Sequence, residues 1–172
     1  MKHLVSNIVY SIKRFIKIIY LYILCFISGL STIKFDDLET NDIEKILYDD
    51  FVHFDSKDDL NNYDINKLFP QIIVHYRNSR ELKRLVRLLN ICGFKGRLSA
   101  DSKIDVSSFK DNRKLVAIDL NKKDCRDTNP MMRQFNGANG ELFNFVDFTK
   151  LVSRCPNLFI DWLLLKCWFI TN

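Results

Sequence analysis

The sequence predicts an α+β domain: a small three- to four-stranded sheet packed against helices and preceded by a hydrophobic N-terminal helix. Three observations predict it. Ile72-Ile73-Val74-His75-Tyr76 is a run of strand formers followed at once by the helix-spaced stretch SRELKRLVRLLNICGF. Leu115-Val116-Ala117-Ile118-Asp119-Leu120 reads as a second, buried strand. Ile18 to Leu30 (IIYLYILCFISGL) is an unbroken apolar run near the start of the chain. The organisation expected is a basic, hydrophobic leader over residues 1–35 and a single α+β domain over 36–172. Removing the leader leaves about 137 residues, enough for a real core. Aromatic residues are plentiful and Gly and Pro are scarce, at 5 and 3, which excludes a disordered or collagen-like chain.

The leader comes first. Its helix is expected because Leu4, Val5, Ile8, Val9, Ile12, Phe15, Ile16 and Ile19 recur at three- and four-residue spacing. After Lys17 the segment becomes apolar all round, as an interfacial turn leading into a buried segment would. Lys2, Lys13, Arg14, Lys17 and Lys34 are its five bases, and it has no acid. The chain holds 26 Lys+Arg against 21 Asp+Glu, so the formal excess of +5 sits entirely on the leader. A segment that meets a membrane from its positive side has this layout. Three readings follow. The leading one is a retained signal-anchor, a transmembrane helix; Ile18 to Ile33 spans about 24 Å against a hydrocarbon core of about 30 Å, a gap that snorkelling of Lys17 and Lys34 closes. The others are a signal peptide cut after Ser31, leaving a soluble or secreted body, and a first helix docked on the chain's own core. A lipoprotein is excluded, because Tyr22-Ile23-Leu24 precedes Cys25 where a small residue is required.

An acidic helical arm follows over residues 36–64, with eleven acids against Lys45 and Lys57. Asn41 and Glu44 fit a capped helix start, with Ile43, Ile46, Leu47 and Phe51 as its apolar stripe. Ser56 and Asp59 fit a second, with Leu60 and Leu68 as anchors. The acids are either a solvated face or a surface lying against the basic part of the same chain. In the strand–helix unit, Asn78 or Ser79 is the expected cap, and Leu82, Leu85, Val86 and Leu89 the apolar face. Gly93 is the expected stop. Ile104-Asp105-Val106 alternates as a short strand would. Met131–Phe135 and Glu141–Phe148 flank two Asn-Gly steps, which suggests a hairpin. Thr149 is expected to cap a helix through Arg154, interrupted by Pro156, and Leu158–Ile170 to form an apolar docked helix too short to span a bilayer.

The residues that could carry chemistry are few. His3, His53 and His75 stand at no metal-ligand spacing, and there is no C-x-x-C pair. Cys125, between Lys-Asp and Arg-Asp, could pair with His53 or His75, although a loop cysteine with charged neighbours explains it as well. Asp101, Asp105 and Asp119 are the acids a Mg²⁺ site would draw on, but Leu120-Asn121-Lys122 supplies no second acid. Phosphate-loop, dinucleotide and nucleophile-elbow signatures are absent. Cys92, Cys125, Cys155 and Cys167 allow two disulfides in three pairings if the body is exported, and free thiols if it is not. No catalytic residue, metal ligand or cofactor is therefore assigned.

One surface signal remains. Arg80, Lys83, Arg84 and Arg87 fall within about 100° of arc on the helix face opposite its leucines. With Arg77, Lys95, Arg97 and Lys103 they make eight bases between 77 and 103, against Glu81 and Asp101. Arg77, Arg80, Lys83, Arg84, Arg87 and Arg97 are the candidate binding residues, facing an acidic partner or anionic headgroups. The expected function is a non-catalytic, membrane-associated interaction or assembly subunit, held to the membrane through 1–35 and partnered by protein in a complex. Two alternatives stand beside it: a soluble nucleic-acid-associated or ribonucleoprotein component, and a small exported cysteine-dependent enzyme. Nucleic acid is the less favoured partner, because no aromatics interleave with the bases to stack on single strands.

Overall fold

The computed structural model describes residues 2–33, 50–68, 70–96, 103–109, 114–128 and 140–160, with side chains of the first helix described over 8–27. It is a mixed α+β fold with a five-stranded sheet. The elements are helix α1 (Lys2–Ile33), α2 (Lys57–Asn62), β1 (Gln71–His75), α3 (Ser79–Ile91), β2 (Lys95–Gly96), β3 (Leu115–Asp119), β4 (Asp124–Thr128), β5 (Glu141–Asn144), α4 (Phe145–Arg154) and α5 (Pro156–Ile160). Short 3-10 turns occupy Ile65–Leu68 and Val106–Ser108.

The sheet runs β2-β4-β3-β1-β5. β1 lies between β3, antiparallel with Ile73 opposite Ala117, and β5, parallel with Ile73 opposite Leu142. Both faces of β1 and β3 are covered, which is why they read as continuous apolar runs rather than alternating ones. Ile72, Val74, Val116, Ile118, Cys125 and Phe143 point into one large core shared with the helices. Ile73, Leu115 and Leu142 point the other way and cluster with Phe51, whose segment adds to the outer edge of β5 through a bond from Val52 N–H to the Leu142 carbonyl.

The strand–helix unit forms as its sequence requires. Asn78 caps α3 by accepting from the Arg80 and Glu81 amides. The Glu81 carboxylate reaches back to accept from the Arg77 amide. At the other end Gly93 takes φ +79°, and the Phe94 and Gly93 amides return to the Leu89 and Asn90 carbonyls. That is a Schellman ending, which a residue with a Cβ adopts only under strain. Ser56 and Asp59 form the reciprocal cap expected of them at the start of α2.

Four expectations are corrected. Among the described residues the sheet has five strands, not three or four. β4 escaped notice because its sequence, DCRDT, lacks strand formers and buries only Cys125 and Thr128. Ile104–Val106 is no strand: Asn90 clamps the Ile104 backbone from both sides, and Asp105 caps a 3-10 turn. Glu141–Phe148 is not one hairpin arm. Residues 141–144 pair parallel to β1, and Asn144 starts α4 by capping the Asp147 amide. Thr149 is therefore inside α4, its hydroxyl turned back to the Val146 carbonyl. Pro156 begins α5, a first-turn position that costs proline nothing. The proposed helix at 41–51 up to Asp49, the 131–135 strand, the Asn-Gly loop as far as Asn139, and the C-terminal helix beyond Ile160 lie outside the described residues.

Helix α1 is 32 residues long, about 48 Å. It packs chiefly on α4 and also on α3. Its buried stripe is narrow: Leu21 and Cys25 are buried, and Arg14, Ile18 and Leu24 are half-buried on the same side.

Candidate functional site

The outer surface of α1 is the most unusual feature of the molecule. Ile8, Ile12, Phe15, Ile19, Ile23 and Phe26 are each between 43% and 68% exposed. Val9, Tyr10, Ile16, Tyr20, Tyr22 and Ile27 are exposed with them. At 100° per residue, all of these except Tyr10 lie within about 160° of arc opposite the docked stripe. Exposed apolar patches of this continuity mark contact surfaces for lipid or protein. Lys13 and Lys17 are exposed along one border of the arc.

The docked side is held by specific contacts. The Arg14 guanidinium donates to the Asn157 side-chain carbonyl at 3.1 Å. Cys25 hydrogen-bonds with Ser153 of α4, and burial raises its thiol pKa. Burial pushes the Cys92 thiol, at the end of α3, up to about 12. The Arg14–Cys25 stripe of α1 thus sits on α4 and α5, and α1 also packs on α3. Among the described residues no helix is long and apolar enough to cross a membrane. The run expected to span, Ile18 to Ile33, continues past Ile27, beyond the part of α1 whose side chains are described.

On α3, Leu82, Leu85, Val86 and Leu89 turn into the core. The sequence-assigned residues divide by position. Arg77, Arg80, Lys83 and Arg87 are exposed, and Arg84 is half-buried. Arg97 lies outside the described residues. Arg80, Lys83, Arg84 and Arg87 form a row on the side of α3 turned away from the sheet. The shoulder made by Leu88 and Cys92 is buried in the same core as Leu21 and Cys25 of α1.

A second polar cluster was not legible in the sequence. Asp147 is 4% exposed, receives Lys150 Nζ at 2.8 Å and the Asn144 amide at 2.8 Å, and lies 3.7 Å from His53 Nδ1. Lys150 also donates to the Phe54 carbonyl, and Arg154 to the Tyr63 carbonyl. The cations of α4 thus fasten the segment 54–63 through its backbone carbonyls. The group is a staple: Lys150, Arg154 and the Asp147–His53 approach tie α4 to the segment 53–63, while Asn144 and Lys150 brace Asp147 within the start of α4. The only signal for it was the i, i+3 spacing of Asn144, Asp147 and Lys150.

The remaining chemical candidates are placed plainly. Cys125 is not in a loop but in β4, 1% exposed. Burial and the neighbouring Asp124 carboxylate push its thiol up to about 12, the reverse of an activated nucleophile. His75 is buried on the opposite face of the sheet, its ring 5.7 Å from that of Phe51, so the sheet separates it from Cys125. Cys25, Cys92, Cys125 and Cys155 are free thiols. Asp119 closes the β3–β4 turn by accepting from the Asn121 and Lys122 amides, and Asp105 accepts from the Ser107 amide. Neither joins a metal cluster among the described residues. Comparison of the chain with protein families, with characterised proteins and with solved structures finds no match.

Proposed function

We propose that this protein is a non-catalytic subunit that docks on a membrane surface through α1, with its α3 basic row engaging an acidic partner or headgroups. The outward arc of α1 carries the reading. A helix that buries one narrow stripe and exposes isoleucines and phenylalanines along about 30 Å of its length has the form of an interfacial helix. Its basic border and the absence of any acid before Asp36 suit an anionic leaflet. A soluble nucleic-acid component would use the basic row but leave the apolar arc without a role.

The test is co-sedimentation of the full chain with phosphatidylcholine–phosphatidylserine vesicles, beside the triple variant Ile12→Ser, Ile19→Ser, Ile23→Ser. These side chains are exposed, so the melting temperature should stay within a few degrees. The wild type should pellet with vesicles and resist release by high salt, and the variant should remain in the supernatant. A wild type that ignores vesicles, or one whose apolar arc instead holds a stable dimer that the variant breaks, would overturn the reading.

A further inference from the structure

We infer that the α1 arc and the α3 basic row form one continuous surface, and that its ligand is the phosphate-bearing headgroup layer of an anionic leaflet. The inference rests on the membrane reading above and names what the basic row engages.

The geometry runs around the two helices in order. The apolar arc of α1 is bordered by Lys13 and Lys17, both exposed. α1 packs on α3, and its buried Leu21 and Cys25 share one core with Leu88 and Cys92 of α3. On α3, Leu88 and Cys92 form the buried shoulder, offset by about 90° from the sheet-facing leucines. Arg84, half-buried, comes next around the helix, and Arg80, Arg87 and Lys83 follow on the side facing away from the sheet. Arc, lysine border and arginine row therefore face outward together. An acidic protein could meet the row without touching the arc. A leaflet meets both at once, hydrocarbon against the arc and phosphate against the row, and arginine suits phosphate because its planar fork donates two parallel hydrogen bonds.

The experiment compares full-length wild type with Arg80→Gln, Lys83→Gln, Arg87→Gln on two vesicle types, phosphatidylcholine alone and phosphatidylcholine mixed with phosphatidylserine. A base near an anionic surface contributes about fivefold in affinity, so the triple variant should lose about a hundredfold on mixed vesicles. Its weaker binding to phosphatidylcholine alone should be unchanged, since the arc is intact. Equal wild-type binding to both vesicle types would overturn this inference while leaving the membrane reading standing. So would a triple variant that keeps its affinity for mixed vesicles but loses an acidic protein or RNA. Failure of the wild type on both vesicles would overturn the membrane reading itself.

Discussion

At the residue scale, the cysteines show how environment outweighs local sequence. Cys125 stands beside Lys123 and Arg126 in sequence, which suggests an activated thiol. In the fold its side chain enters the core beside Ile118, and desolvation pushes it up to about 12. Cys92, at the end of α3, is likewise pushed up to about 12, mainly by burial. Both folded-state values lie above the free-thiol value of 9.0. Their contribution to stability is therefore present below pH 9 and is lost as pH rises from 9 towards 12. Two outcomes are expected: a melting temperature that declines over that alkaline range, and alkylation of Cys92 and Cys125 at pH 8 only after denaturant is added. Mass-mapped alkylation checks the second, and rapid labelling of either thiol in the native protein would contradict the placement.

At the element scale, what was legible follows from where the determining forces lie. β1, α3 with its Asn78 cap and Gly93 stop, β3 and the Ser56–Asp59 cap were readable because their signals are local: apolar period, capping side chains and one positive φ. β4 was not, because a charged pentapeptide becomes a strand only when β3 and β2 pair on either side. The parallel pairing of β5 depends on an equally non-local fact. Gly140 brings β5 against β1 so closely that a Cβ there would sit 2.5 Å from the Gln71 carbonyl oxygen. Gly140→Ala should thus cost about 1–3 kcal/mol by displacing backbone. Gly93→Ala meets open space and should cost about 1–2 kcal/mol through its positive φ alone. Denaturant midpoints distinguish them if combined with hydrogen exchange: only the first should raise amide exchange along β1 and β5.

The candidate site was legible in composition but not in arrangement. The basic row could be read off the helical spacing of Arg80, Lys83, Arg84 and Arg87, because an amphipathic helix announces which side meets the core. Helix α1 gives no such announcement. Beyond Lys17 it is apolar all round, so hydropathy cannot say which stripe docks, and the same residues that favour an anchor also suit a cleaved leader or a core helix. The deciding contacts are Arg14 with Asn157 and Cys25 with Ser153, between residues more than a hundred positions apart.

At the scale of the whole molecule, charge and hydrophobicity share one side. The formal excess of +5 belongs to the leader, and α3 adds its row beside it. On the membrane reading proposed above, the body would take one orientation: α1 and the outer side of α3 towards the leaflet, the sheet behind them. Because α1 is docked from Arg14 to Cys25 on α4, α5 and α3, its apolar arc should lie parallel to the membrane plane rather than along the normal. Depth-dependent quenching by brominated lipids measures this most directly, using tryptophan placed singly at Ile12, Ile19 and Phe26 and the parent protein as baseline. The account predicts the same shallow depth at all three positions. A depth that changes steadily along the helix, by about 1.5 Å per residue as in a spanning segment, would contradict it, as would no quenching at any of the three.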